Sequence, residues 1–146
     1  MIGLLQRVSE AHVDIDGETI ARIGQGLLVL IGVQPDDSEA QASRLLERLL
    51  GYRVFADPHG RMNLSLRDVR GGLLLVPQFT LPADTRSGTR PGFSTAAPAE
   101  PGHQLFTFLE QQARAQYPHV GCGRFGADMQ VALVNDGPVT FWIEAH

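Results

Sequence analysis

Two strand-like segments near the end of the chain are separated by a short turn sequence that contains a Gly-Pro pair. Residues 129–134 alternate apolar and polar side chains as a half-buried strand does, and residues 139–143 have a similar character. The sequence between them, Asn-Asp-Gly-Pro, would suffice for a tight hairpin without its proline. Proline fixes φ and donates no hydrogen bond, while Gly137 can take backbone angles closed to other residues. The local prediction is an ordinary turn; the alternative is a turn that presents main-chain groups to a ligand.

Length and composition predict one globular domain over residues 1–146 with a substantial core. No apolar run is long enough to span a membrane, and the first residues lack the charged-then-apolar order of a signal peptide. Cys122 is the only cysteine, which excludes an internal disulfide. Together these features predict a cytoplasmic protein with no membrane partner.

The charge of the chain limits how it can bind nucleic acid. The net charge is −4 at pH 7, and all 12 basic side chains are arginine. Avid non-specific binding depends on clustered cations, which this balance does not favour. A local patch can still engage one end of an RNA. The candidate patch consists of Arg86 and Arg90, with Arg61, Arg67 and Arg70 upstream; scattered, solvated arginines are the alternative.

Apolar periodicity predicts a strand-rich chain that is interrupted by helices. Asp16 and Gly17 predict a hairpin turn, and residues 27–33 form an apolar run typical of a strand buried on both faces. The predicted strands are residues 2–8, 11–15, 19–23, 27–33, 52–55, 73–76, 124–134 and 139–144.

Two segments carry the signals of helices. Ser38 is placed as an N-cap, with Gln41 completing a capping box, and the apolar stripe that follows ends at Gly51. A second apolar stripe covers residues 105–113 and ends before Pro118. The order of strands and helices predicts an α/β fold of three layers, β/β/α, in which mixed, barrel-like sheets carry the two helices on one side.

A long segment between the predicted strand at residues 73–76 and the second helix is loop-like. Residues 77–101 are rich in Pro, Gly, Ser and Thr. Loops of this length inside a compact domain are usually functional or disordered. Phe79, Leu81 and Phe93 are candidate anchors, so we expect an ordered loop.

Most familiar catalytic and metal-binding patterns are absent from the sequence. The five histidines have no paired spacing of metal ligands, and the single cysteine has no partner. No Gly-rich phosphate loop and no G-x-S-x-G segment occurs. Asp14, Asp16 and Glu18 are interpreted as a solvated face of a hairpin, and Cys122 as a bystander thiol rather than a nucleophile. The sequence therefore predicts neither a metal site nor a cofactor.

Polar side chains lie where a buried strand runs into the long loop. Residues 76–81 read Val-Pro-Gln-Phe-Thr-Leu, and side chains two positions apart in an extended chain point the same way. Gln78 and Thr80 would then face a ligand together. Local evidence alone favours the alternative, a glutamine and a threonine that only finish a strand.

Taken together, residues 77–81 and 135–140 resemble the two signature motifs of the D-aminoacyl-tRNA deacylases. Further segments resemble this family in the same order, namely residues 53–57, 60–66, 90–93 and 123–129. The likeness extends over essentially the whole chain. One position departs from it, because the first motif of the family usually begins with serine and this chain has Pro77. Proline has neither an amide hydrogen nor a hydroxyl, so any part of that serine in binding is lost or altered.

The resemblance implies a hydrolase. Enzymes of this family cleave the ester between a D-amino acid and the terminal adenosine of tRNA, and they also remove glycine from mischarged tRNA. For this chain the resemblance implies catalytic groups at Gln78, Phe79 and Thr80. Their backbone amides would stabilise the oxyanion of the tetrahedral intermediate, and the neighbouring ribose hydroxyl would help to orient water. Covalent catalysis by Thr80 is the less favoured alternative, because no base lies near it in sequence.

The resemblance also implies how substrates are selected. In this family a cis Gly-Pro pair, here Gly137 and Pro138, enters the active site of the partner subunit and forms a wall against an L side chain. The enzyme would therefore work as a homodimer on aminoacylated tRNA, with Arg7 holding the pair. The residues expected to line the adenosine pocket are Phe125, Gly126, Ala127 and Met129, and Pro77 is a further expected substrate-binding position.

Two functions from other classes remain open. The chain could be a non-catalytic RNA-binding or editing-like module, although its acidic charge does not favour this. It could also be an esterase for small molecules on the same scaffold. Hydrolysis of D-tyrosyl-tRNA but not L-tyrosyl-tRNA would separate the deacylase from both.

Overall fold

A long N-terminal strand is the centre of the sheet in the computed structural model, which describes residues 1–146. Strand β1 (Ile2–Ile15) pairs along one edge with β3 (Gly26–Gly32) through its first half and with β2 (Glu18–Ile23) through its second half. The other edge pairs along most of its length with β8 (Gln130–Glu144). All three pairings are antiparallel.

The remaining strands extend the sheet in parallel and add a small hairpin. Strand β6 (Gly72–Pro77) pairs parallel with β3, and β7 (Val120–Cys122) pairs parallel with β6. A separate two-stranded sheet consists of β4 (Phe55–Ala56) and β5 (Met62–Leu64). The mixed sheet that the sequence predicts is confirmed.

Three helices complete the fold. Helix α1 (Glu39–Gly51) begins and ends where the sequence predicts, and its N-cap Ser38 forms the capping box with Gln41. Helix α3 (Ala99–Gln116) packs against α1. The third helix, α2 (Leu66–Val69), is a single capped turn that the sequence does not predict. No helix combines the length and the hydropathy needed to cross a membrane.

The sheet curls into a nearly closed barrel because small residues let its outer strands meet. A Cβ at Gly72 would lie 2.6 Å from Cγ2 of Ile23, and one at Gly121 would lie 3.2 Å from Cβ of Ala21. Glycine on β6 and β7 therefore leaves room for the side chains of β2. One cluster of buried side chains lies between the sheet and the helices, and a smaller one lies on the opposite face. The predicted fold class is thereby confirmed, with the single turn of α2 added to the two predicted helices.

The strand predicted at residues 52–55 is only Phe55–Ala56, and three other local predictions are wrong. Residues 135–140 form no hairpin turn, because β8 continues along β1 on both sides of them: Thr140 pairs with Gln6 and Asn135 with Val8, and the residues between bulge out of the ladder. No strand starts at residue 124, since residues 124–127 form a turn, residues 128 and 129 are irregular, and β8 begins only at Gln130. Helix α3 begins inside the predicted loop, because a proline in the first turn of a helix, here Pro101, disrupts no intrahelical hydrogen bond.

The hairpin turn at the tip of β1 is confirmed. Asp16 and Gly17 both have positive φ, 52° and 81°. Two successive residues with positive φ match the right-handed twist of the flanking strands, which is why Asp-Gly predicts such a turn.

Candidate active site

The first predicted segment lies at the end of β6, where the strand leaves the sheet. Pro77 is the last residue of β6 and pairs with Ile31 of β3. The amide of Gln78 donates to the carbonyl oxygen of Ile31 at 2.8 Å. The Gln78 amide is therefore already hydrogen-bonded within the sheet, and the expectation that it stabilises an oxyanion is wrong. The side chain of Gln78 remains half-exposed at the site.

The next two amides are free. Residues 78–81 form a turn in which the amide of Leu81 donates to the carbonyl oxygen of Gln78 at 3.2 Å. The amides of Phe79 and Thr80, at the two central positions of this turn, have no hydrogen-bond partner within the chain. Adjacent unpaired amides of this kind suit a developing negative charge, because they are already fixed before the charge appears.

The hydroxyl of Thr80 has no base beside it. It accepts a hydrogen bond from Nε2 of Gln78, and no histidine or carboxylate is bonded to it. A hydroxyl needs such a base to become a nucleophile at neutral pH. The geometry therefore favours main-chain stabilisation over covalent catalysis by Thr80.

Pro77 ends the pairing of β6 with β7. The amides of residues on β6 that face β7 alternate along the strand: that of Leu73 donates to the carbonyl oxygen of His119 at 2.8 Å. Every second amide of β6 faces β7, so after residues 73 and 75 the next donor would be residue 77. Proline has no amide hydrogen to donate there. A Cβ at Gly123 would lie 3.2 Å from Cδ of Pro77, so glycine lets the chain pass close to the proline ring. Beyond this point the chain turns away from the sheet.

A pocket of about 480 Å³ opens where β6 and the chain after β7 diverge. A turn with Gly126 at φ 77° closes one side, and the sulfur of Met129 accepts a hydrogen bond from the amide of Arg124 at 3.4 Å. Its lining is mainly apolar, with one carboxylate. The structure brings together here most of the predicted site residues, namely Pro77, Gln78, Phe79, Phe125, Gly126, Ala127 and Met129.

The second predicted segment is clamped from two sides. Nε of Arg7 donates to the carbonyl oxygen of Asp136 at 3.0 Å, and Nη1 of Arg7 donates to the carbonyl oxygen of Val54 at 2.7 Å. The side chain of Asn135 spans the segment, because it accepts from the amide of Val139 at 3.1 Å and donates to Oγ1 of Thr140 at 3.0 Å. The segment is thus held as a fixed projection of β8.

Gly137 is required by the shape of this projection. Its φ is 137°, and a Cβ there would lie 2.7 Å from Cγ2 of Val139 and 3.2 Å from Nη2 of Arg7. Gly137 and Pro138 are both exposed, and the peptide bond between them is cis, as the resemblance implies. Arg7 contacts the segment in the way the resemblance leads us to expect.

Within one chain the two segments lie far apart. Arg7 pairs with Leu27 of β3, while Pro77 pairs with Ile31. The two positions differ by four residues along β3, and β8 lies three strand spacings from β6. Together these offsets place the two segments roughly 20 Å apart over the sheet. No hydrogen bond joins the two segments. The pocket and the Gly-Pro projection of one chain therefore do not form one site.

The loop after β6 is ordered, and of its three predicted anchors Leu81 is half-buried and packs against Gly32 at the end of β3. Asp84 and Gly92 exchange backbone hydrogen bonds of 2.8 and 2.9 Å. Arg86 donates hydrogen bonds to the Asp84 carboxylate and holds its pKa well below the usual range. The rings of Phe79 and Phe93 contact each other, with centroids 5.6 Å apart, but they are 60% and 45% exposed. The two phenylalanines therefore hold the loop to itself rather than to the buried core.

Cys122 is not a nucleophile. Burial, together with the nearby Glu110 carboxylate, raises the pKa of its thiol to about 12. The thiolate, which is the reactive form, is then scarce at neutral pH. No group of three His, Cys, Asp or Glu side chains comes together in an arrangement that could hold a metal ion.

Sequence reasoning missed two residues that shape the site. The sequence marks Asn135 only as part of a turn, yet its side-chain amide spans the Gly-Pro projection. His103 stacks on Phe125, with ring centroids 4.9 Å apart and an interplanar angle of 3°. No sequence signal marks His103, because the stack depends on where the turn after β7 meets the start of α3.

Comparison with known proteins places this curled sheet with its strand-end pocket in a class of enzymes that act on aminoacyl-tRNA. The sequence profile of the D-Tyr-tRNA(Tyr) deacylase family matches residues 4–144. The D-aminoacyl-tRNA deacylase of Pseudomonas putida KT2440 is 65% identical over 144 residues, which are 99% of each chain.

Two solved structures are also similar. The c-Myc DNA unwinding element binding protein has a TM-score of 0.95 and 36% identity, covering 100% of this chain and 99% of its own. A probable eukaryotic D-amino acid tRNA deacylase has a TM-score of 0.82 at 18% identity, with 98% of both chains covered, which shows a shared fold. The chain belongs to the D-Tyr-tRNA(Tyr) deacylase family.

Proposed function

We propose that the main-chain amides of Phe79 and Thr80 are the catalytic groups of this enzyme and that its active site is completed by a second copy of the chain. The reaction follows from the family and from the identity over nearly the whole chain: the protein hydrolyses D-aminoacyl-tRNA to a D-amino acid and tRNA. The observation that carries the mechanism is the pair of unpaired amides beside the pocket.

In the proposed mechanism, the terminal adenosine occupies the pocket beside Pro77 and the ester carbonyl oxygen points at the two free amides. Water adds to the carbonyl carbon, and the resulting oxyanion accepts hydrogen bonds from the amides of Phe79 and Thr80. The intermediate then releases the ribose oxygen, which takes up the proton that the water lost on addition, and the amino acid leaves as its carboxylate after its acid proton passes to solvent. The ribose hydroxyl next to the ester orients the water, because the one carboxylate of the pocket lining, Asp128, forms no hydrogen bond with Gln78 or Thr80.

The Gly137-Pro138 projection supplies the selection against L-amino acids. An enantiomer exchanges the side chain and the hydrogen at one carbon, so a rigid wall at the position of an L side chain excludes it. Arg7 and Asn135 hold the projection rigid. A glycine ester has no side chain and passes the wall, so glycyl-tRNA is also a proposed substrate.

A homodimer brings this projection to the pocket of the other subunit. One chain separates the two segments by roughly 20 Å over the sheet, so the projection must act on a neighbouring copy. The outer edge of β8 has no strand partner, and Val134, Phe141 and Trp142 on β8 are 51%, 38% and 51% exposed. Exposed apolar side chains beside an unpaired strand edge suit an interface between copies. One domain over residues 1–146 and a cytoplasmic location, where aminoacylated tRNA is used, complete the proposal.

Deacylation of D-Tyr-tRNA and L-Tyr-tRNA tests this function, together with D-Tyr-tRNA that ends in 2′-deoxyadenosine and carries its ester on the 3′ oxygen. We expect cleavage of the D form only, and a large loss of rate with the deoxy substrate. Binding without turnover would indicate an RNA-binding module. Equally rapid cleavage of simple aryl esters would indicate a general esterase. An undiminished rate on the deoxy substrate would refute the role of the ribose hydroxyl.

A further inference from the structure

Three neighbouring cavities share lining residues one with the next, and the surface that they follow is referred to as the trough. The pocket beside Pro77 meets a second cavity, of about 300 Å³, at Phe125. The second cavity meets a third, of about 690 Å³, at Ile20 and Cys122. The trough therefore runs from the candidate active site along the first half of α3 to the seam between β2 and β7. Six residues separate Phe125 from His119 in the third cavity, a span of at most about 20 Å.

The trough is basic although the chain carries a net charge of −4. The second and third cavities are lined by Arg22, Arg70, Arg114 and Arg124, and Glu110 is their only carboxylate. Arg114 is already paired with Glu110 at 3.1 Å. The guanidinium groups of the other three arginines form no hydrogen bond or ion pair within the chain, in contrast to that of Arg114. Uncompensated positive charges thus line the trough away from the active site.

An aromatic stack stands at the junction of the first two cavities. The ring of His103 lies flat on that of Phe125, and His103 is exposed. The start of α3 supports this stack, since a Cβ at Gly102 would lie 3.5 Å from Cζ of Phe125. Exposed aromatic rings next to free cations are the combination with which proteins hold unpaired nucleotides. Asp128 is the only charged residue that lines the pocket itself, so the positive charge begins beyond the stack.

We propose that this trough binds the single-stranded 3′ end of the substrate tRNA, an inference that rests on the proposed function. The base that precedes the terminal adenosine stacks on His103. The phosphate groups upstream pair first with Arg124 and then with Arg22 and Arg70 at the barrel seam. Guanidinium groups suit this task because their planar donors match phosphate oxygens. The acidic chain thereby binds RNA through one local surface rather than through its net charge.

Binding of a fluorescent single-stranded RNA with the sequence of the acceptor end tests the trough without any need for turnover. For the double variant R22A/R70A we expect about tenfold weaker binding at low salt. The slope of log affinity against log salt should become shallower by about 1.4, since each contact to a single strand contributes about 0.7. H103A should weaken binding about tenfold at any salt concentration, because it removes a stacking surface. The matched control is R44A, which removes an exposed arginine on α1 that pairs only with Glu47.

A parallel kinetic measurement separates substrate binding from chemistry. R22A/R70A should lower kcat/KM for D-Tyr-tRNA and leave the hydrolysis of D-tyrosyl-adenosine unchanged, because the nucleoside ester does not reach the trough. Wild-type affinity and salt slope in the double variant would overturn the proposal, as would an equal loss on the nucleoside ester. If the wild-type protein binds the RNA through these arginines but cleaves no D-Tyr-tRNA, the trough stands and the proposed function fails.

Discussion

Replacing Phe79 by proline removes one of the two free amides and leaves the turn around it intact. Phe79 is the second residue of the turn closed by the Leu81 amide and the Gln78 carbonyl oxygen. Proline is favoured at this turn position, since its fixed φ suits it. Gln78 directly follows β6 and its amide still bonds to Ile31 of β3, as in a strand, so we expect the extended conformation that a residue before proline needs. The substitution therefore deletes the N–H group with little change of backbone.

The expected loss can be worked out from the role of the amide. Removing one donor from an oxyanion hole costs about 10²–10³ in kcat, or about 3–4 kcal/mol of transition-state stabilisation. The side chain is 60% exposed, so its removal opens no cavity in the core. We therefore expect kcat of F79P on D-Tyr-tRNA to fall about a hundredfold or more below that of F79A, which lacks the ring but keeps the amide.

Three measurements make this comparison decisive. Single-turnover deacylation of D-Tyr-tRNA gives the chemical rate of wild type, F79A and F79P. Thermal unfolding shows whether F79P is folded, and its melting temperature should lie close to that of F79A. T80A should retain most of the wild-type rate, because it removes only a hydroxyl that has no base. Equal rates for F79P and F79A, or a hundredfold loss in T80A, would refute the main-chain mechanism.

Further variants test the clamp and the thiol. R7A removes two hydrogen bonds from a charged donor, one of them to the Asp136 carbonyl oxygen. We expect the free energy of unfolding, measured by urea denaturation, to fall by about 1–3 kcal/mol. The ratio of D-Tyr-tRNA to L-Tyr-tRNA deacylation should fall by about tenfold or more. An unchanged ratio of D to L deacylation in a folded R7A variant would contradict the role of Arg7. Burial raises the pKa of the Cys122 thiol from 9.0 to about 12, so the thiol stays protonated at neutral pH. Its alkylation by iodoacetamide should therefore be about a thousandfold slower than that of free cysteine, and the enzyme should retain its activity. Rapid inactivation at pH 7.5 would show that the thiol is exposed and reactive.

Elements defined by local signals were predicted from the sequence. The capping box of Ser38 and Gln41 and the stop at Gly51 depend on neighbours in the chain, and α1 lies where they indicate. The hairpin at Asp16 and Gly17 is equally local. The continuous burial of β3 appears in the sequence as an unbroken apolar run.

Features that depend on pairing between distant strands were missed. The Gly-Pro segment resembles a hairpin turn locally, but β1 holds both halves of β8 in one ladder and turns the segment into a projection. The amide of Gln78 is consumed because the register of β6 against β3 places it opposite Ile31. The separation of the two signature segments within one chain has the same origin, and no local pattern encodes it.

The identity of the site residues came from resemblance rather than from spacing. Glutamine and threonine at a strand end carry no chemical signal of their own, since the catalytic donors proposed here are main-chain amides that every residue except proline has. Pro77 shows in addition that a changed side chain need not disturb these amides. It lacks the hydroxyl and amide usual at its position, and it leaves the free amides of Phe79 and Thr80 in place.

The central claim is that the Gly-Pro projection of one subunit selects the substrate in the pocket of the other. G137A provides the test, because its Cβ would lie 2.7 Å from Val139 and displace the projection, so that L-Tyr-tRNA is also cleaved. Mixed dimers are produced by co-expressing G137A with an excess of the F79P chain, which has an impaired pocket but an intact projection.

Deacylation of L-Tyr-tRNA per G137A chain, measured across a series of mixing ratios, decides between the alternatives. With about nine F79P chains for each G137A chain, random pairing gives about nine-tenths of the G137A pockets an intact projection. The account predicts that cleavage of L-Tyr-tRNA per G137A chain falls to about one-tenth while that of D-Tyr-tRNA is retained. Cleavage of L-Tyr-tRNA that does not change with the mixing ratio would show that the projection acts within its own subunit, and would contradict the account.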